Sequence, residues 1–190
     1  MPTPYWVIIS VCWMIFWTYW TFRGLRRRPS KRKATRTFTV LNTGLLYLGF
    51  ILVLLGRSVP GSLDLLFLPQ AIPIDVIGTV FAIMGVAFAI WSRQVLRNNW
   101  SGEVAIMEGQ QFMRSGPYAL IRHPIYAGIL LALFGTMLVS STAGSLLGFV
   151  LVLISLWQKA SIEEQFLVVE FGKQYTQYQH EVKFLLPFIF

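Results

Sequence analysis

Residues 125–157 read IYAGILLALFGTMLVSSTAGSLLGFVLVLISLW, an apolar run interrupted only by the small, polar turn sequence Ser140-Ser141-Thr142-Ala143-Gly144. Two full membrane crossings want roughly 20 residues each. The run therefore predicts a tight helical hairpin, either two short spans or a re-entrant pair. The rest of the chain agrees that lipid is its solvent. Of 190 residues, 55% are hydrophobic and 13% charged, and mean hydropathy is +0.61. A soluble domain carries about 25% charged residues. The aromatic content of 15% suits belts at two membrane interfaces.

Working outward, residues 5–22, 38–56 and 74–91 read as further spans. With hairpin arms at 124–139 and 144–158, the expectation is one all-α integral membrane domain over 1–190. It would have about five transmembrane helices, or three and a deep hairpin, and an amphipathic C-terminal helix on the cytoplasmic side. Half of the sixteen basic residues fall in one loop: Arg23, Arg26, Arg27, Arg28, Lys31, Arg32, Lys33 and Arg36. Pinned between apolar segments, such a loop marks the cytoplasmic side and meets anionic headgroups; this reading is stronger than nucleic-acid binding. The N-terminus is then outside. The first span is no cleavable signal peptide, because its positive charges follow it. Residues 57–73, rich in Pro and Gly, read as an external loop.

Within 74–91, Gly78, Ala82, Gly85 and Ala89 make one helix face of small residues, read as close packing against a neighbour. Gly144 and Gly148 offer a second such point. Residues 92–123 are polar. There, 104–107 and 110–113 flank Glu108-Gly109 and suggest a short β-hairpin or an irregular loop. Residues 159–182 predict an amphipathic helix, with Glu164, Val168, Phe171, Tyr175, Tyr178 and Val182 along its apolar stripe. On that helix Glu163 falls on the polar face and Glu164 on the buried one. A carboxylate there is costly unless paired. Its partner is a ligand or, structurally, Lys159 or Arg122.

Polar groups that can do chemistry concentrate in segments 103–128 and 159–182. In Arg122-His123-Pro124, the proline pushes His123 out of the helical region and starts a new helix. That start, with Arg122, His123, Tyr118 and Tyr126, offers donors for an anion and flat rings beside them. Other chemistries find no support. The single cysteine, Cys12, rules out a disulfide scaffold or a thiolate metal site, and His123 and His180 have no metal-ligand spacing, so no metal is expected. There is no glycine-rich dinucleotide fingerprint, Walker lysine or nucleophile elbow. The apolar content excludes a disordered chain.

Gly116-Pro117-Tyr118, then Arg122-His123-Pro124-x-Tyr126-x-Gly128, resembles the central motif of the isoprenylcysteine carboxyl methyltransferase family. Glu163-Glu164, Phe171-Gly172, Tyr175, Tyr178 and Pro187 are similar to that family's C-terminal motif. Membrane phospholipid N-methyltransferases share the broad pattern. The resemblance covers roughly residues 91–190, and the short length suggests a minimal prokaryotic-type member in an inner membrane. It implies transfer of a methyl group from S-adenosyl-L-methionine to a lipophilic acceptor, such as a prenylated cysteine carboxylate, at the cytoplasmic membrane boundary. By position it implies a cofactor pocket lined by Gln111, Phe112, Met113, Tyr118, His123, Pro124, Tyr126 and Glu164. Where the family has an acceptor-holding Arg one turn before the Glu pair, this chain has Lys159, which gives charge without a bidentate fork. Arg122 is the second candidate for positioning substrate. Alternatives are methylation of a phospholipid headgroup amine, a sterol-type reductase, and a membrane scaffold without catalysis. Partners would be membrane lipids and the acceptor, not nucleic acid.

Overall fold

The computed structural model describes residues 4–24, 30–55, 58, 61–100 and 104–185. Arg26, Arg27, Arg28, Glu103 and Pro187, singled out above, lie outside them. The chain forms α1 (Pro4–Gly24), α2 (Arg36–Leu55), α3 (Ile72–Leu96), α4 (Pro124–Ser140), α5 (Ala143–Phe171) and α6 (Lys173–Glu181). A two-stranded antiparallel ribbon, β1 (Ser30–Lys33) and β2 (Ala105–Met107), joins them. Among the described residues, α1, α2, α3 and α5 are long and apolar enough to cross a membrane, while α4 has 17 residues. The protein is an integral membrane protein.

Small residues decide which helices touch. A Cβ added at Gly78 in α3 would lie 2.6 Å from the Gly135 carbonyl oxygen in α4, and one at Gly128 would lie 2.7 Å from the Ala89 nitrogen. The Gly78, Ala82, Gly85, Ala89 face is thus a packing seam, and α4 is its partner. On the other side, a Cβ at Gly49 in α2 would lie 2.7 Å from the Gly148 carbonyl oxygen of α5. Buried polar pairs lock the bundle further. Asn42 donates to the Ser155 carbonyl at 2.9 Å and Ser155 donates back to the Asn42 carbonyl at 3.1 Å. The Trp13 indole donates to Thr136 at 3.0 Å, joining α1 to α4.

The α4–α5 turn is built from its own sequence. Ser141 takes a left-handed conformation, φ +56°, and Thr142 and Ser145 close a capping box that starts α5. The Phe67 N–H donates to the Ser141 carbonyl at 2.9 Å and the Ala143 N–H to the Leu65 carbonyl at 2.8 Å. The hairpin tip therefore reaches the α2–α3 connection, the full depth of the bundle.

Two expectations are corrected. No separate helix begins at residue 159. Nothing between Trp157 and Ala160 breaks a helix, so α5 runs unbroken from Ala143 to Phe171 and stops at Gly172, φ +54°. Nor do 104–107 and 110–113 pair with each other. Gln110 folds back, its side chain accepting from the Met107 N–H at 3.0 Å, and the strand finds β1 instead. That pairing brings Lys31, Arg32 and Lys33 to the end of the bundle opposite the hairpin tip.

Candidate active site

The corner at Arg122-His123-Pro124 forms as the residue before a proline requires. His123 lies outside the helical region, at φ −119° and ψ 61°, and caps α4, whose first residue is Pro124. The C-terminal segment is strapped across this corner. Arg122 N–H donates to the Lys183 carbonyl at 2.8 Å and His123 N–H to the Phe184 carbonyl at 3.2 Å. Gly172 turns α6 so that Tyr175 and Tyr178 bury against Phe112, Leu167 and Phe171. The Tyr178 hydroxyl donates to the Tyr118 carbonyl at 2.5 Å.

These elements line a cleft at the polar end of the bundle. Of the residues expected there, Gln111, Phe112, Met113, Tyr118, Arg122, His123, Pro124 and Tyr126 line it. Two do not. Lys159 lies in a second cavity, its Nζ 5.7 Å from the Tyr126 ring centroid. Glu164 sits behind the cleft wall, saturated by protein donors.

Four side chains converge on Glu164. Arg122 reaches it through Nε at 2.6 Å and Nη2 at 3.3 Å, Gln179 donates at 2.8 Å, His123 Nε2 lies at 3.2 Å and Tyr175 donates at 3.4 Å. The structural alternative for this carboxylate, pairing with Arg122, is therefore realised. Arg122 Nη1 caps α6, donating to the carbonyls of Gln179 at 2.9 Å and Val182 at 2.5 Å. Outside the cleft, an ion pair between Arg114 and Glu181 holds α6 from its exposed side.

The residue that faces the cleft is Glu163, which accepts from the Tyr126 hydroxyl at 2.8 Å. Its placement on a polar, solvent face is corrected. Helical periodicity makes one side of a helix buried and the other wet only where a single neighbour covers it. Here α5 is wedged between α4 and α6, so the sides that carry Glu163 and Glu164 are both partly covered, while Gln165, Val169 and Glu170 stay exposed. Asn99, Trp100 and Gln110 also line the cleft and were missed. For Trp100 the signal was available, since it is a lone large aromatic in a polar stretch.

Burial sets the chemistry of the cleft's tyrosines. It holds the Tyr118 and Tyr175 hydroxyls well above their ordinary range, with Glu163 and Glu164 adding to the effect. Tyr178 is pushed up to about 12 by burial, against the opposing pull of Arg122 and Arg114. All three stay neutral hydrogen-bond donors at physiological pH.

The second cavity lies among α1, α2, α4 and α5. Phe16, Trp17, Leu46, Phe50 and Ile129 make its walls apolar, and Thr39, Asn42, Thr43 and Lys159 add polar groups. Three residues line both spaces: Trp100, Ile125 and Tyr126.

A family model described as phospholipid methyltransferase matches residues 74–174. Over 82 residues the chain is 39% identical to a methanethiol S-methyltransferase of Pseudomonas sp. (strain GM41(2012)), covering 43% of this chain and 31% of that one. Over 75 residues it is 40% identical to a probable protein-S-isoprenylcysteine O-methyltransferase of Oryza sativa subsp. indica, covering 39% of each. The chain thus spans about a third of the length of the curated relatives it matches. The solved structure of the eukaryotic intramembrane Ras methyltransferase, isoprenylcysteine carboxyl methyltransferase, superposes with a TM-score of 0.53 at 22% identity. That superposition covers 84% of this chain and 55% of the other, and the two share a fold. With more than half of its 190 residues matched, including the corner at His123 and the Glu163-Glu164 pair, the chain belongs to the phospholipid methyltransferase family.

Proposed function

We propose that this chain is an integral membrane methyltransferase, dependent on S-adenosyl-L-methionine, that methylates a lipophilic acceptor at the cytoplasmic membrane boundary. The observation that carries this reading is the meeting of two unlike cavities. One is a cleft with a carboxylate and flat rings at the polar end of the bundle; the other is a largely apolar space among the candidate membrane-spanning helices. A water-soluble acceptor has no use for the second. The basic residues beside the cleft support a cytoplasmic setting, with the N-terminus outside.

The cleft fits the cofactor's chemistry. Glu163 suits the ammonium or the ribose hydroxyls, Asn99, Gln110 and Gln111 suit polar edges, and Phe112, Tyr118, Phe171 and Tyr175 suit a purine ring. When bound, S-adenosyl-L-methionine supplies a methyl group already activated on a sulfonium, so the chain's task is positioning. Tyr126 fixes Glu163, while His123 and Arg122 hold Glu164 and through it the wall made by α6. Lys159, in the apolar cavity, supplies positive charge for an anionic head such as a prenylated cysteine carboxylate. Such an acceptor is ionised at neutral pH and needs no general base. The similarity to methanethiol and isoprenylcysteine methyltransferases supports an acceptor of that sulfur-bearing or carboxylate kind. A phospholipid headgroup amine is the second reading, favoured by Glu163, a carboxylate in the cleft that can take a proton.

Titration of the detergent-purified protein with S-adenosylhomocysteine tests the reading. Micromolar binding is expected, together with a base-labile methyl ester formed on a prenylated cysteine. A base-stable N-methyl product on phosphatidylethanolamine favours the second reading. A folded protein that binds no S-adenosylhomocysteine overturns both and leaves the scaffold.

A further inference from the structure

We propose that Trp100 is the residue that sets which methyl acceptors this chain admits, by the bulk of the acceptor's head group. The inference rests on the function proposed above and deepens it. An acceptor whose tail lies in the apolar cavity has to present its nucleophile to the cleft, and the boundary between the two spaces is formed by Trp100, Ile125 and Tyr126. Two of these are fixed by the start of α4. Ile125 is buried in the first helical turn, and Tyr126 is tied to Glu163 at 2.8 Å. Trp100 alone comes from another part of the chain, the segment after α3. The passage is therefore the space left between one indole and the first turn of α4.

The indole is braced in place. The Arg93 guanidinium lies 4.4 Å from its ring centroid, and the Trp20 ring meets it edge-on at 5.9 Å. Arg93 itself is only 5% exposed and donates to the Arg97 carbonyl at 2.6 Å. A cation over a desolvated indole face and an edge-to-face aromatic contact both fix ring orientation. Such bracing suits a ring that excludes by its shape. It favours a narrow head, a thiolate or an unbranched carboxylate, and slows without excluding a head branched beside the nucleophile, such as the prenylated cysteine carboxylate.

The test uses the full chain in nanodiscs at saturating S-adenosyl-L-methionine. The acceptors are prenyl thioether carboxylates with one tail and one nucleophile. They carry hydrogen, methyl or acetamido on the carbon next to the carboxylate. The readout is the ratio of kcat/KM for the bulkiest acceptor to that for the smallest, in which cofactor-binding defects cancel. Trp100→Ala is expected to raise this ratio at least tenfold. Trp100→Phe, more conservative and measured in case the alanine variant does not fold, is expected to raise it severalfold. Trp20→Ala, which loosens the brace from the apolar side, is expected to shift it in the same direction. A ratio unchanged in the Trp100 variants while wild-type turns over overturns the role of Trp100 alone. A wild-type protein that neither binds S-adenosylhomocysteine nor methylates any of the series overturns the underlying function, and this role with it.

Discussion

Tyr126 and Glu163 join α4 to α5 inside the cleft through one hydrogen bond of 2.8 Å, while the neighbouring Glu164 points the other way into Arg122 at 2.6 Å. Adjacent carboxylates on one helix thus have different work. One is available to a ligand, and the other is consumed in holding the walls together.

That division gives opposite signatures for the two glutamines. Glu164→Gln leaves the Arg122 side chain, 11% exposed, without its counter-charge. Breaking such a pair costs about 3 kcal/mol, so a fall in melting temperature is expected, with cofactor binding lost as a consequence. Glu163→Gln is expected to leave the melting temperature within a few degrees and to weaken S-adenosylhomocysteine binding at least tenfold. Thermal melts beside titration calorimetry check both. Equal melting temperatures for the two variants would contradict the assignment.

The α3–α4 seam predicts a sharp contrast between glycines. Gly78→Ala places a methyl 2.6 Å from the Gly135 carbonyl oxygen, whereas Gly44→Ala meets nothing within 4 Å. Overpacking costs roughly 1–3 kcal/mol, while alanine in an open helical position gains up to about 1 kcal/mol over glycine. Denaturation in mixed micelles is expected to rank Gly44→Ala at or above wild-type and Gly78→Ala clearly below.

Alkaline stability follows from the buried phenols. A group whose pKa is raised by folding stabilises the protein fully below its unfolded value and loses that contribution as pH rises through the folded value. For Tyr178 the unfolded value is near 10 and the folded one about 12. Stability is therefore expected to fall between about pH 10 and 12. Tyr178→Phe, which also removes the bond to the Tyr118 carbonyl, should lower stability below pH 10 and flatten the decline above it. Tyrosinate absorbance recorded against circular dichroism distinguishes these phases.

Orientation is open to direct labelling. On a Cys12→Ser background, Lys33→Cys is expected to react with a membrane-impermeant maleimide only after the cytoplasmic side is exposed. Ser62→Cys, near the hairpin tip, should react from outside. Reversal of the pair inverts the proposed topology and removes the cleft from the cytoplasm.

The membrane class, the hairpin at 125–157, the small-residue seam and the corner at His123 are all legible in the residues alone. Each depends on local chemistry: the apolar length of a segment, the size of one side chain, or the backbone preference of a residue before proline. The sequence also carries the two motifs that mark the family. The unbroken run of α5 into the site, the pairing of β2 with β1 and the choice of glutamate facing the cleft emerge from packing between elements. Those outcomes depend on what covers each face of an element, and periodicity reports faces without reporting their neighbours. Glu163 reads as polar surface until α4 and α6 close around it. Trp100 reads as an isolated aromatic until Arg93 and Trp20 hold it between two cavities.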